Sequence, residues 1–371
     1  MTPSPEAVLD ALRTVIDPSN KKDIVRLNLI RRLSVSESGI SFTVMLRDPM
    51  SQFADSVAKL CEAAISNAGI DFGPIRVEVD NEMIGLGDDL QVLGDQESPS
   101  LGEGITNTIA VASGKGGVGK STVAANLAVS LARQGFDVGL VDTDIYGPSV
   151  PTMFGVRDAK PSVDANRKII PVERFGVKLL SMGFLVDELK AVIWRGPMVS
   201  SAVRQFLGDT AWGELDYLVM DLPPGTGDIQ LTIVQTIPLS GAIIVSTPQE
   251  VALADARKGV AMFEQVNVPV IGIVENMAYF TPPDLPDRKY HLFGEGGARR
   301  LSEDLGVSFL GEVPIEQELR ESCDAGEPIV IGRPDSASSR AFSQIALEAV
   351  RQVELRNADL EPSQKVEILY R

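Results

Sequence analysis

Apolar residues along the chain follow two regimes that change near residue 106. In the first, VLDALRTV sets Val8, Leu12 and Val15 on one helical face, and ISFTVML alternates through Ile40, Phe42, Val44 and Leu46 as a half-buried strand does. SQFADSVAKLCEAAISNAG places Phe53, Val57, Leu60, Cys61, Ala64 and Ile65 along one helical stripe, with Asn67 and Gly69 as its stop. IRVEVD alternates again. The pattern predicts a small α+β domain over residues 1–83. A linker is expected over 84–105, a stretch rich in Gly, Asp, Glu, Ser and Pro.

From 106 to 355 short, nearly continuous apolar runs alternate with helical stretches: NTIAVA, FDVGLVD, VKLLSM, YLVMDLP, GAIIVST, VPVIGIVEN and SFLGEV. Strands without polar alternation are covered on both faces. The pattern therefore predicts a doubly wound, mostly parallel α/β sheet. In SSRAFSQIALEAVRQVEL the apolar residues Phe342, Ile345, Ala346, Ala349 and Val350 form a core-facing stripe without the basic polar face of a membrane anchor. Residues 356–371 read as a tail in which VEILY could add a short strand.

The 371 residues suit two or three domains, and the composition, 44% hydrophobic and 23% charged, is that of a globular protein. No apolar run has the length of a membrane span, and MTPSPEAVLD is not a secretory leader, so a cytoplasmic location is expected. The net charge of −17 disfavours broad binding to nucleic acid or an anionic membrane, and neither is expected as a partner. Two cysteines, Cys61 and Cys323, and one histidine, His291, offer neither a disulfide framework nor a metal site by local spacing.

One stretch carries chemistry unmistakably. Gly114, Lys115, Gly116, Gly117, Val118, Gly119, Lys120 and Ser121 fit the phosphate-loop pattern G-x-x-x-x-G-K-[ST] between a predicted strand and a predicted helix. Glycines let backbone N–H groups converge on phosphate oxygens, and the helix start, including Thr122, adds a favourable partial charge. Lys120 is expected to neutralise the β and γ phosphates of ATP, and Ser121 to bind Mg²⁺. YLVMDLPPGTGD supplies Asp221 at a strand end for the Mg²⁺ shell, followed by a stiff turn suited to sensing the γ-phosphate. LVDTDIYGPS ends the next strand with Asp142 and Asp144, which should converge with Asp221 at the carboxyl edge of the sheet. Asp144 is the candidate for positioning the attacking water.

The second lysine of the loop, Lys115, has no place in the general pattern. The form K-G-G-x-G-K-[ST] resembles the deviant Walker A ATPases, which include MinD, ParA, nitrogenase iron protein and the Mrp/ApbC iron–sulfur carriers. The resemblance implies a homodimer in which Lys115 reaches the partner's phosphates. More of the chain is similar to the Mrp/ApbC family: SGKGGVGKS, VDTDIYGPSVPTMFG, WRGPM, DLPPGTGD, TPQEVALADARKG, GIVENMAYF and FGEGGA occur in order. This resemblance implies an ATPase that carries iron–sulfur clusters from a scaffold to apoproteins, with Asn276 at the adenine. The N-terminal unit, through Asp17-Pro18 and Asp23-Ile24-Val25, resembles the small domain often fused to these carriers, which implies partner docking.

The chain also departs from that family. Many members carry C-x-x-C after the ENM segment, and two subunits then hold one 4Fe–4S cluster. Here the segment reads ENMAYFTPPDLPDRKYHLFGEGG, without cysteine. Cys323, in ESCDAGEPIV near an expected loop, remains as a candidate iron–sulfur ligand, and Cys61 reads as a buried thiol. Two other readings share the loop: a positioning switch of the MinD/ParA kind, and a regulatory ATPase that has lost its cluster.

Overall fold

The computed structural model describes residues 2–46, 53–81, 104–145, 147–184 and 196–359. These fall into two compact units, one of residues 2–81 with 353–359 and one of 104–352. The first contains α1 (Pro5–Leu12), β1 (Ile30–Ser36), β2 (Gly39–Leu46), α2 (Ala54–Asn67) and β3 (Ile75–Asn81). Its sheet runs β1-β2-β3, antiparallel then parallel. Ser4 caps α1 through the N–H of Ala7. On α2, Phe53, Val57, Cys61, Ala64 and Ile65 are buried as their spacing predicts. Leu60 is 45% exposed, because the row at steps of four and three passes to one side of it.

The second unit contains β4 (Ile105–Ala112), α3 (Lys120–Arg133), β5 (Val138–Asp142), α4 (Val150–Met153), β6 (Ser162–Val163), β7 (Ile169–Ile170), β8 (Val172–Arg174) and β9 (Val177–Ser181). These are followed by α5 (Gly196–Gly208), β10 (Leu215–Asp221), α6 (Asp228–Thr236), β11 (Gly241–Ser246), α7 (Glu250–Gln265), β12 (Val270–Phe280) and α8 (Gly297–Leu305). The last elements are β13 (Phe309–Ile315), α9 (Gln317–Asp324), α10 (Ile329–Gly332) and α11 (Ala337–Asp359).

The large sheet has the order β13-β12-β11-β4-β10-β5-β9-β8 and is parallel except at its edge strand β8. Each of the seven apolar runs forms one of its parallel strands. On one face α5, α6, α7 and α8 bury Phe206, Ile233, Phe263 and Leu301 against Met220 and Ile244. The alternate residues Ile109, Val111, Leu140, Val219 and Ile243 are equally buried, so both faces are covered, as the absence of polar alternation demands. Because β5 and β9 lie beyond β10, while β11 to β13 lie on the other side of β4, the chain reverses direction at β4. A ligand crevice opens at such a reversal, outside the carboxyl ends of the strands.

The end of α11 departs from the expected boundary. The helix continues through Asp359, and from Val353 onward it belongs to the small unit, where Ala358 joins Leu12, Ile24, Phe42 and Ile65 in one apolar core. There Glu354 pairs with Arg13. The first residues of the segment read as a tail thus complete a core whose apolar residues come mostly from the other end of the chain. The expected VEILY strand, most of the linker, residues 47–52, and Trp194 and Arg195 of the WRGPM motif lie outside the described residues.

Candidate functional site

The phosphate loop leaves β4 and turns into α3 at Gly119, whose φ of +82° is a left-handed conformation that suits glycine. A Cβ there would also stand 2.2 Å from Nδ2 of Asn276. At Gly114 a Cβ would come within 2.2 Å of the backbone of Asp255, so the loop rests directly on α7. The first N–H groups of α3 have no intrahelical acceptor and face the loop, the arrangement that binds phosphate oxygens.

Lys120 and Asp221 form an ion pair inside the unit, with side chains 6% and 0% exposed. The Lys120 ammonium also donates to Ser121 Oγ at 3.2 Å. Burial raises the Asp221 carboxyl above its ordinary value, and Lys120 and the Ser121 hydroxyl pull it back. Its second oxygen, Oδ2, is buried and has no hydrogen-bond partner among the described residues. An orphaned carboxylate oxygen beside a serine hydroxyl at the mouth of a phosphate loop fits a hydrated Mg²⁺, directly or through water.

Asp142 and Asp221 end neighbouring strands in register. Burial, then the Asp221 charge, pushes the Asp142 carboxyl up to about 7. Its oxygens are engaged by protein donors: Oδ1 accepts from the Asp144 N–H at 3.1 Å, and Oδ2 from the Val150 N–H at 3.2 Å and Ser181 Oγ at 3.0 Å. Asp142 was expected to line the nucleotide. In the structure it organises the loop that carries Asp144, whose own Oδ1 accepts from the Gly147 N–H at 3.2 Å. Lys115 is half-buried, its carbonyl held by Ser113 Oγ at 2.9 Å. Its ammonium has no ion-pair partner among the described residues.

Asn276 stands beside the loop. It is buried and donates from Nδ2 to the Val118 carbonyl at 2.8 Å. Its neighbour Glu275 is buried too and accepts the Ala298 N–H at 2.6 Å, capping α8. The chain then turns through Met277 at φ +58°, a conformation seldom adopted outside glycine and one that clusters at functional sites. Motifs ENM and FGEGGA are in this way one device, a strand end fixed to a helix start.

Sequence reasoning missed Ser181, Glu275 and Thr143. The first sits at the carboxyl end of a parallel strand, a position that by itself signals proximity to the site. Thr143 donates twice to the Asp221 carbonyl, from N at 3.0 Å and from Oγ1 at 2.8 Å, tying the loop of Asp144 to the strand of Asp221. Thr143→Val keeps the backbone bond and leaves no acceptor unsatisfied. It should cost only about 1 kcal/mol of stability in urea titration, while turnover falls more than that loss explains.

Cys323 lies in the last turn of α9, next to the turn that follows it. It is 8% exposed, beside Asn126 of α3, and burial, then Asp324, pushes its thiol up to about 11. No group of three His, Cys, Asp or Glu residues is arranged to hold a metal among the described residues. His291 is turned to the Ala278 carbonyl at 3.2 Å.

A glycine-cradled loop at the reversal of a parallel sheet, with paired lysine and aspartates at the strand ends, defines a P-loop nucleotide-binding protein. The family described as NUBPL iron-transfer P-loop NTPase matches residues 104–350, and a family of iron–sulfur cluster assembly proteins matches residues 5–72. The chain belongs to the iron-transfer P-loop NTPase family. An iron–sulfur cluster carrier protein of Synechocystis sp. is 47% identical over 354 residues, covering 94% of this chain and 98% of the relative. The iron–sulfur cluster transfer protein NUBPL of Dictyostelium discoideum is 50% identical over 258 residues, covering 69% and 80%. Among solved structures, a nucleotide-binding protein of Archaeoglobus fulgidus in complex with ADP is 43% identical with a TM-score of 0.57, covering 65% of this chain and 93% of that one. The cell-division ATPase MinD of Pyrococcus furiosus, 22% identical with a TM-score of 0.50 over 66% of this chain and 98% of that one, shares the fold. No helix among the described residues is long and apolar enough to cross a membrane.

Proposed function

We propose that the protein is a homodimeric, Mg-ATP-dependent carrier that takes an iron–sulfur cluster from a scaffold and hands it to apoproteins. What supports this reading is the buried Lys120–Asp221 pair at the phosphate loop, in a chain that aligns over 94% of its length with a named cluster carrier.

Each residue then has a task. The loop amides and Lys120 bind the β and γ phosphates, and Lys120 exchanges its Asp221 partner for phosphate oxygens as nucleotide enters. Mg²⁺ would be held by Ser121 and Asp221, whose Oδ2 is left without a partner among the described residues, and would supply charge neutralisation at the phosphates. Asn276 fixes the loop from below and stands ready at the base. Asp144, aimed by Asp142 and Ser181, orients the attacking water. Lys115 is lent to the partner protomer. Nucleotide acts as a timer, and it shifts the balance between two poses of the dimer only by its differential affinity for them.

Asp144→Asn separates binding from chemistry. The amide keeps the shape and the bond from Gly147 but is a poor acceptor for a water proton. ATP affinity by equilibrium titration should stay within about threefold, and single-turnover hydrolysis should fall about a hundredfold or more. Unchanged hydrolysis removes Asp144 from the mechanism.

A further inference from the structure

Iron–sulfur cargo is held by thiolates, four for a 4Fe–4S cluster. The full chain contains two cysteines and one histidine. Cys61 is 0% exposed on α2, within the apolar core of the small unit with Val57 and Ile65, and burial pushes its thiol up to about 12. Cys323 is buried in the other unit, beneath the helix that follows the phosphate loop. A homodimer therefore owns four thiols in total, two of them sealed in small-unit cores.

The stretch after the ENM motif carries no cysteine or methionine in their place. Phe280 pairs with Tyr290 through both backbone bonds, at 2.9 and 2.8 Å, closing a loop of prolines, Asp284, Asp287 and Lys289. The His291 ring faces the Ala278 carbonyl from Nδ1 and the exposed Glu295 from Nε2 at 3.7 Å. This donor set does not fit a cluster resident on the chain.

Resting on the carrier reading, we propose that every thiolate holding the cluster during its passage belongs to the protein partner, a cysteine-bearing scaffold or acceptor, and that this chain contributes an ATP-switched grip but no iron ligand. The step is ligand exchange. As each acceptor thiolate bonds to an iron, one scaffold thiolate leaves it. Each iron keeps its coordination number and its oxidation state, and the proton lost by the acceptor thiol is taken up by the departing thiolate.

The test compares the wild-type full chain with the Cys61→Ala/Cys323→Ser double variant, both anaerobic. In one arm each is incubated with ferrous iron and sulfide, desalted, and assayed for iron, sulfide and visible absorbance. In the other, a scaffold loaded with a 4Fe–4S cluster and an apo-ferredoxin with four cysteines are mixed with each protein and Mg-ATP. Equal nucleotide affinity of the two proteins confirms that the variant is folded, and the single Cys323→Ser variant repeats both arms without disturbing the Cys61 core. The expected result is that no protein retains a cluster after desalting and that the transfer rates agree within about twofold. A cluster kept by the wild type and lost by a cysteine variant overturns the proposal, as does a tenfold drop in transfer. When the first arm is repeated with glutathione, retention that appears only then also overturns it, in favour of a small thiol. If neither protein accelerates transfer while both hydrolyse ATP, the carrier reading itself falls, and this proposal with it.

Discussion

Lys120→Ala is expected to weaken ATP binding about a hundredfold or more and to abolish measurable turnover. The ammonium is the charge at the centre of the site, and among the described residues no other cation pairs with Asp221. Its loss has a second effect, visible without nucleotide. Asp221 and Asp142 end adjacent strands, both fully buried, and Lys120 is the counter-charge that Asp221 leans on. Breaking a buried pair from one side costs about 3–5 kcal/mol unless the orphaned carboxylate takes up a proton. Protonation is the easier course here, since burial already raises both carboxyls, Asp142 to about 7. A carboxyl whose folded value lies above its unfolded value binds more protons when folded, so its contribution to stability is lost as pH rises toward the folded value. Melting of Lys120→Ala should therefore fall more steeply than that of wild type as pH rises above the ordinary carboxylate range, because the raised Asp221 carboxyl has lost the ammonium that pulled it back. Parallel melting curves would show that Lys120 does not hold this charge balance, and ATP affinity near wild type would remove it from the phosphate site.

Much of this site was legible because its chemistry is local. The run from Gly114 to Ser121 needs only its own backbone to cradle phosphate, and the seven apolar runs could be buried only in a sheet covered on both faces. Asp221 and Asp144 followed from the rule that ligands gather at the carboxyl ends of parallel strands. What stayed hidden depends on contacts between distant segments. Nothing near Asp142 in sequence announces that Ser181, from the neighbouring strand β9, would donate to its carboxylate. Glu275 looks like any acidic residue until the start of α8 arrives to be capped. Cys323 was placed near a loop and does lie next to the end of α9, but nothing local announces that α9 packs against α4 and α10 and buries the thiol beside Asn126. The end of α11 was read as a tail because its apolar residues are few, and their partners lie some three hundred residues earlier.

Lys115→Ala should leave ATP binding nearly intact and lower hydrolysis about a thousandfold, the scale on which a cation supplied to the transferring phosphoryl group acts. The geometry favours this split. The Lys115 backbone is fixed by Ser113, so the loop keeps its shape without the side chain. The ammonium, unpaired among the described residues, is not needed to neutralise anything within its own protomer. A cation so placed stabilises charge that develops elsewhere. Mixing decides where. In a heterodimer of Lys115→Ala with Asp144→Asn, the first protomer keeps its own Asp144 and receives Lys115 from the second, so one of two sites is complete. Random pairing of equal amounts puts half the dimers in that state, and turnover should recover to about a quarter of wild type. Were Lys115 to serve its own protomer, the mixture would show only the sum of two residual activities, at every ratio and every concentration. Recovery must also follow dimer formation as protein is titrated, which light scattering in Mg-ATP measures on the same samples.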